Sequence, residues 1–251
     1  MEEITKEGLK PISEDSPVKE LNLFYIIDIS GSMGGSKIQA VNDVMPQVMD
    51  IVDKISDENK DNAIIKASVL TFEDSASWMF PQPVYAKDMK SSWPKLTVKG
   101  GTDYGRMCDE LEKALHKDAS KHPGAQLNSM VGHKAPAIIL MSDGQPLDSN
   151  WEQHLDVLKK NSWFNEASKI AIAIGTTDVD MDVLRKFVGG GVEAKVYTVH
   201  NVEQLKDAIK VVSSVASKIG STTGSVSKTD IDPILPEPIT DPDNVDIDDF
   251  D

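Results

Sequence analysis

Short apolar segments that alternate with amphipathic ones constrain the fold of this chain more than any other feature of its sequence. Residues 21–27 (LNLFYII) form an unbroken apolar run, which is typical of a central strand buried on both faces. Residues 37–55 then repeat apolar side chains at helical spacing, so one side of this segment is apolar and the other polar. Strands that alternate with such helices predict an α/β fold around a mostly parallel sheet.

The same pattern continues along the chain. It predicts six strands, at residues 21–27, 63–73, 75–86, 137–143, 169–175 and 195–199. Amphipathic helices are predicted at 37–55, 104–117, 150–160, 180–188 and 201–220. The third strand contains Pro81 and Pro83, which belong at a sheet edge because proline cannot donate a ladder hydrogen bond. We therefore expect a mostly parallel, six-stranded α/β sheet with the third strand at an edge.

Composition divides the chain into three parts. Residues 1–19 are polar and predict a loose arm, and residues 20–220 predict the folded domain. Residues 221–251 predict an acidic, disordered tail, because Asp230 to Asp251 holds nine acidic residues and neither lysine nor arginine. This end contributes much of the formal net charge of −15, so the rest of the chain is only mildly acidic.

Charge and cysteine usage exclude several classes of protein. An acidic chain without a basic patch does not fit nucleic-acid binding. The single cysteine, Cys108, excludes an intrachain disulfide and a multi-cysteine zinc site. Residues 1–17 contain no apolar run of the kind found in a signal peptide, so we expect none, and there is no apolar stretch of the roughly 20 residues that a bilayer requires. We expect a cytoplasmic protein, monomeric on its own, that binds neither nucleic acid nor membrane.

Three predicted strand ends carry oxygen-bearing side chains. Asp28, Ser30 and Ser32 follow the first strand, Thr102 lies in a glycine-rich loop before a helix, and Asp143 ends the fourth strand. Ligands of open parallel sheets bind at the carboxyl ends of the strands, where such side chains meet. Hydroxyl and carboxylate oxygens without thiol or imidazole suit a hard cation such as Mg²⁺, Mn²⁺ or Ca²⁺.

These motifs carry a family resemblance. DISGS, GGTD and LMSDGQP, in this order, resemble the metal-ion-dependent adhesion site (MIDAS) of von Willebrand factor type A (VWA) domains. The segments KASVLTF, GGTD and WFNEASKIAIAIG are similar to the TerY-like branch, which is associated with bacterial tellurium resistance. The resemblance covers roughly residues 20–219 and implies the fold of that family, a Rossmann-like, doubly wound, mostly parallel six-stranded sheet with one antiparallel edge strand and helices on both faces. It implies a site formed by five metal ligands, namely Asp28, Ser30, Ser32, Thr102 and Asp143.

The resemblance also implies a function. Direct ligation by the hydroxyls, with the two aspartates acting partly through water, leaves one coordination position on Mg²⁺ or Mn²⁺, with Ca²⁺ as an alternative. Another protein then supplies an Asp or Glu carboxylate to that position. A tellurite-resistance, stress-response or phospho-signalling assembly is the expected setting. An adaptor subunit of an ATPase-driven, chelatase-type remodelling machine is the alternative, and it uses the same domain.

A purely structural interpretation and several enzymatic ones compete with the interpretation of these residues as a metal site. Asp28, Ser30 and Ser32 taken alone fit a helix cap, and Asp103 is interpreted as a helix N-terminal acid rather than a ligand. An aspartyl-phosphate phosphatase needs a second aspartate where Ser30 stands. The order of a P-loop and the elbow of a serine hydrolase are both absent. The sequence therefore predicts a protein that is not an enzyme.

Overall fold

A single six-stranded sheet organises the chain. The computed structural model describes residues 18–128, 130–175, 179–189 and 196–221. Its strands are β1 (Lys19–Asp28), β2 (Ala63–Phe72), β3 (Ala76–Trp78), β4 (Ala137–Ser142), β5 (Ser168–Ile174) and β6 (Val196–Val199). They are ordered β3-β2-β1-β4-β5-β6, and β3 alone among them runs antiparallel to its neighbour. The predicted mostly parallel sheet with an antiparallel edge strand is confirmed.

Seven α-helices accompany these strands in the described part of the chain, and a short 3-10 helix (Gly31–Met33) follows β1. The α-helices are α1 (Ser36–Glu58), α2 (Ala86–Ser91), α3 (Tyr104–Ala114), α4 (Trp151–Leu158), α5 (Ser162–Glu166), α6 (Met181–Val188) and α7 (Val202–Ser221). Helix α1 continues through Pro46 without a break. The start of α7 is capped from both sides, because Asn201 accepts a hydrogen bond from the Gln204 N–H while the Gln204 side chain accepts one from the His200 N–H. None of the described helices combines the length and apolar character that a bilayer crossing requires.

Three predicted elements are shorter in the structure. Strand β3 ends at Trp78, and beyond the two prolines Val84 pairs with Ala67 of β2 as an isolated bridge, because proline lacks the N–H that a continuous ladder needs. Helix α3 stops at Ala114, whose carbonyl accepts a hydrogen bond from the N–H of Gln126 in the following loop. The segment predicted as one helix at 150–160 ends at Leu158, and a separate helix, α5, starts after Asn161, whose side chain caps it. Helix α2 was not predicted at all.

The helices cover both faces of the sheet because the side chains of β1 alternate between them. Leu23, Tyr25 and Ile27 belong to a core shared with α1 and α7. Phe24 and Ile26 belong to a second core, shared with α3, α4 and α6. An entirely apolar strand is thereby buried on both sides, as its sequence predicts.

The sheet reverses its winding between β1 and β4, and this determines where a ligand can bind. From β1 the chain proceeds outward through β2 to β3, and it then crosses over to β4 and proceeds outward through β5 to β6. The chain therefore leaves β1 and β4 in opposite directions, which opens a crevice between the loops at the carboxyl ends of these two strands. Ligands of open α/β sheets bind in such a crevice.

The predicted polar arm (residues 1–19) and acidic tail (residues 221–251) fall almost entirely outside the described residues. Their boundaries with the domain at 20–220 stay predictions.

Candidate metal centre

The turn after β1 gathers three of the five predicted site residues. Asp28 is the last residue of β1 and has no exposed surface (0%). Its Oδ1 accepts a hydrogen bond of 2.8 Å from the Ser30 N–H, which turns the chain back over the carboxylate. The hydroxyl oxygens of Ser30 and Ser32 lie 3.1 Å apart. Three oxygen-bearing side chains therefore converge at the end of the central strand.

Main-chain hydrogen bonds fasten the loop that carries Thr102 to this turn. The Lys99 N–H donates to the Ile29 carbonyl over 2.9 Å, and the Gly31 N–H donates to the Gly100 carbonyl over 3.2 Å. Thr102 follows two residues later and is only 4% exposed. These bonds bring the loop of the buried Thr102 next to the turn that carries Ser30 and Ser32.

The close approach of this loop depends on glycine. Gly100 has φ +65°, and a Cβ atom there would lie 2.5 Å from Oδ2 of Asp74. At Gly101 a Cβ atom would lie 2.7 Å from Oδ1 of Asp74, whereas the Gly101 N–H donates to that same oxygen over 2.9 Å. A side chain at either position would displace the Asp74 carboxylate from the loop, and at Gly100 it would also strain the backbone because of the positive φ.

Asp143 supplies the observation that most favours a bound cation. It directly follows β4 and is 2% exposed. Its Oδ1 is buried and has no hydrogen-bond partner among the described residues. A buried carboxylate oxygen without a partner is expensive, and it indicates an ion or an ordered water that completes the site. The residues present therefore fit a cation.

A chain of hydroxyl groups holds the second oxygen of Asp28. The Tyr104 hydroxyl donates to Ser142 Oγ over 2.7 Å, and Ser142 donates in turn to Oδ2 of Asp28 over 2.5 Å. Burial keeps the pKa of the Tyr104 hydroxyl well above its ordinary value, so it remains a donor. Neither Ser142 nor Tyr104 was predicted from the sequence as part of the site. The signal for Ser142 was available, because a polar residue ends an otherwise apolar strand directly before Asp143.

The electrostatics of the site also favour a cation. Burial raises the pKa of Asp28 to about 6, and the neighbouring charge of Asp143 adds to this, while hydrogen bonds from Ser142 and Ser30 oppose it. Two carboxylates buried side by side repel each other when both are ionised. A divalent cation between them relieves that repulsion.

The donor set decides which cations fit. No group of three or more His, Cys, Asp and Glu side chains suited to a metal occurs in the described ranges. What the site offers is two carboxylates and three hydroxyls, from Asp28, Ser30, Ser32, Thr102 and Asp143. This is hard-cation chemistry, and it suits Mg²⁺ or Mn²⁺ better than a thiophilic metal.

The N-terminus of α3 is capped by two aspartates beside Thr102. Asp103 accepts a hydrogen bond from the Arg106 N–H over 2.8 Å, so its interpretation as a helix N-terminal acid is confirmed. Asp148, in the loop after β4, accepts from the N–H groups of Tyr104 and Gly105, each over 2.9 Å. Asp148 was not predicted from the sequence. Its hydrogen bonds join the loop that carries Asp143 to the start of α3, next to Thr102.

Comparison with known proteins decides the family. A model of the von Willebrand factor type A domain matches residues 22–211. The chain belongs to this family. No curated protein matches the sequence of this VWA chain.

Solved structures share the VWA fold at low sequence identity. A von Willebrand factor type A protein from Catenulispora acidiphila is 18% identical with a TM-score of 0.57, over 79% of this chain and 43% of that one. Proximal thread matrix protein 1 from the mussel byssus, with a zinc-occupied MIDAS motif, is 18% identical with a TM-score of 0.55, over 80% and 46%. The pilus adhesin SpaC from Lactobacillus rhamnosus GG is 12% identical with a TM-score of 0.57, over 81% and 30%.

These likenesses establish the fold of this VWA chain. The chain spans less than half of the length of each of these three proteins, so their activities and partners do not transfer to it. None of the three supports the narrower TerY-like resemblance.

Proposed function

We propose that this VWA domain is a protein-interaction module that works through a divalent cation at the carboxyl ends of β1 and β4. One observation carries the proposal. Asp143 Oδ1 is buried and has no hydrogen-bond partner among the described residues, and it lies at a switch point lined by hydroxyls. A cation, or a water that the cation binds, would satisfy that oxygen.

The ligand set we propose is Asp28, Ser30, Ser32, Thr102 and Asp143. Ser30, Ser32 and Thr102 would bind through their hydroxyls. Both oxygens of Asp28 already accept hydrogen bonds, from Ser30 and Ser142, which suits a role through water. We propose Mg²⁺ or Mn²⁺ as the cation, with Ca²⁺ as the alternative, because hydroxyl and carboxylate oxygens suit these ions. Zinc in the MIDAS of the mussel protein supports divalent binding in the family.

The partner we propose supplies an Asp or Glu carboxylate. A cation held largely by neutral hydroxyls keeps much of its positive charge, and it attracts an anionic ligand to a free coordination position. The domain then needs no chemistry of its own, and we propose that it is not an enzyme. The pilus adhesin and byssus matrix protein with the same fold are consistent with binding as the function.

The narrower predictions from the sequence stay predictions. A TerY-like role in a tellurite, stress-response or phospho-signalling assembly rests on the sequence motifs alone. The sequence is also the only basis for three further predictions, namely an adaptor role in an ATPase-driven machine, a cytoplasmic location and a monomeric state.

Calorimetric titration of Mg²⁺ and Mn²⁺ into the full chain tests the proposal. We expect a dissociation constant in the micromolar to millimolar range. Thr102→Val keeps the shape of the side chain but removes its hydroxyl, and it should weaken binding about 10-fold or more, or about 1.4 kcal/mol. Thr102→Ser restores the hydroxyl and should restore binding. A folded wild-type chain that takes up neither ion would refute the proposal.

A further inference from the structure

A leucine stands exposed beside the candidate metal centre. Leu147 is 75% exposed, and its N–H donates to the Thr102 carbonyl over 2.9 Å. Its side chain lies across the loop that carries Thr102, because a Cβ atom at Gly101 would be 2.8 Å from Leu147 Cδ1. A lone exposed leucine is ordinary on a protein surface. Leu147 differs from such residues because it lies next to Thr102, which is one of the proposed metal ligands.

The loop holds Leu147 in place. The next residue, Asp148, accepts hydrogen bonds of 2.9 Å from the N–H groups of Tyr104 and Gly105, and the preceding Pro146 restricts the backbone. A side chain presented by a fixed loop loses little conformational freedom when it binds a ligand. Leu147 and the cation therefore form a preorganised two-point surface, which we call the metal–leucine surface.

A bound divalent cation would favour an anionic ligand at this surface, although Asp74 and Asp148 lie beside Leu147. The Lys37 ammonium donates to the Ser32 carbonyl over 3.1 Å, which places a cationic side chain at the turn after β1. Together with a bound divalent cation, it attracts carboxylates to the same spot. A ligand that matches the metal–leucine surface carries an acidic side chain close to an apolar one.

Residues 245–251 of this chain, VDIDDFD, have that chemistry. In an extended segment, side chains two residues apart point to the same side. Ile247 with Asp249, and Asp248 with Phe250, are such pairs of one apolar and one acidic residue. In sequence these residues lie beyond α7, the last element of the domain.

The intervening chain is long enough for these residues to reach the surface. Helix α7 starts after β6, at the carboxyl end of the sheet, and its 20 residues return about 30 Å toward the opposite end. The 23 residues from 222 to 244 can span up to about 80 Å when extended. Because both ends belong to one chain, the local concentration of the segment at the surface is about millimolar, so even weak contacts produce substantial occupancy.

We infer that residues 245–251 bind the metal–leucine surface of their own chain and compete there with an external acidic partner. This inference rests on the proposed function, since it uses the same cation. An Asp carboxylate reaches the cation while Ile247 or Phe250 packs against Leu147. A partner must then displace the segment, so its apparent affinity is reduced by the fraction of chains in which the surface is already covered.

Nuclear magnetic resonance of the full, ¹⁵N-labelled chain during Mg²⁺ titration tests this inference. Amide signals of Gly31 and Gly100 report on the metal centre, and those of residues 245–251 report on the segment. Both groups should shift at the same Mg²⁺ concentration. Leu147→Ser should abolish the response of the segment and leave that of the centre. Val157→Ser, which alters an apolar residue on α4 that is also exposed (52%), should leave both responses intact.

A competition experiment measures how much the segment reduces the apparent affinity of the surface for an external acidic peptide. Fluorescence anisotropy of a labelled peptide of residues 243–251 should show tighter binding to a chain that carries Asp248→Asn, Asp249→Asn and Phe250→Ser than to the wild type. The expected gain is about 3-fold if the segment covers about two-thirds of the surfaces. Equal affinity for the two chains would contradict the inference.

Three outcomes of the titration overturn the inference without touching the proposed function. In the first, the metal-centre signals shift and those of residues 245–251 do not. In the second, the segment of Thr102→Val responds at the same Mg²⁺ concentration as that of the wild type although the metal-centre signals need more Mg²⁺, which means that Mg²⁺ binds its carboxylates directly. In the third, the response depends on protein concentration, which identifies a second copy as the donor of the segment. If no signal of either group shifts, the proposed function itself fails.

Discussion

The hydroxyl of Ser142 donates a hydrogen bond of 2.5 Å to Oδ2 of Asp28, and this bond joins the ends of β4 and β1 at the candidate metal centre. The same oxygen of Ser142 accepts hydrogen bonds from the Tyr104 hydroxyl and the Gly144 N–H. The Ser30 N–H donates to the other carboxylate oxygen of Asp28, Oδ1. The orientation of the Asp28 carboxylate therefore depends on a residue that we do not propose as a metal ligand.

Ser142→Ala removes that support, and we expect it to weaken Mg²⁺ binding about 10-fold, as losing an outer-sphere hydrogen bond typically does. It should also raise the pKa of Asp28, because the bond from Ser142 lowers that pKa. Calorimetry gives the affinity. Ser68→Ala is the control, since this buried serine of β2 donates to Gln126 rather than to the site. Equal losses in both variants would assign Ser142 a general structural role.

Metal binding should weaken in acid, because protons compete with the cation for Asp28. Burial raises the pKa of Asp28 to about 6, so the carboxylate is ionised above that pH and protonated below it. We expect a nearly constant Mg²⁺ affinity above about pH 7 and a fall of about 10-fold per pH unit well below 6. Titrations at pH 5, 6 and 7.5 measure this. An affinity that is flat across this range would show that Asp28 does not couple to the cation.

The metal-free domain should show the opposite trend in stability. The pKa of Asp28 is about 6 in the folded chain against an unperturbed 3.8. Between these values the folded state binds a proton that the unfolded state releases, so the contribution of Asp28 to the free energy of unfolding falls as the pH rises. The loss approaches about 3 kcal/mol above pH 6. Urea unfolding in EDTA at pH 4.5 and 7.5 should show a stability difference for the wild type that shrinks in Asp28→Asn.

Asn22 in β1 should be replaceable with a gain in stability. It is buried, and neither polar atom of its amide group has a hydrogen-bond partner among the described residues. Asn22→Leu has a similar volume and removes the unsatisfied groups, so we expect the free energy of unfolding to rise by about 1–3 kcal/mol. Urea unfolding measures the change. A loss of stability would mean that ordered water satisfies Asn22 inside the domain.

Gly144→Ala should distort the backbone next to Asp143 and thereby destabilise the domain and weaken metal binding. Gly144 has φ +76°, and a Cβ atom there would lie 2.6 Å from the Asp180 carbonyl oxygen, whose residue also donates its N–H to the Asp143 carbonyl. We expect the loss of stability to exceed the about 1–2 kcal/mol of a left-handed alanine alone, together with weaker Mg²⁺ binding. Gly189→Ala is the matched control, since it has φ +68° and no atom of the described residues lies within 4 Å of the added Cβ. Similar effects in the two variants would contradict the clash.

Local patterns account for what could be predicted of the fold. The apolar run of β1 and the helical spacing of α1 are properties of neighbouring residues, so the sequence is enough to recognise them. The end of β3 was harder to place, because Pro81 and Pro83 exclude a ladder without showing where the preceding strand stops. Helix α5 depends on the side chain of Asn161 as its cap, which no periodicity reports.

The sequence by itself determined which residues stand at the strand ends, because glycines and oxygen-bearing side chains directly follow apolar runs at Asp28 and Asp143. What only the tertiary structure decided is how those ends support one another. Ser142 reaches Asp28 across 114 positions of sequence, and Asp148 caps a helix that begins 44 positions earlier. Such contacts arise because β1 and β4 are neighbours in the sheet although β2 and β3 separate them in the chain. Strand order is a property of global packing, and a local pattern does not encode it.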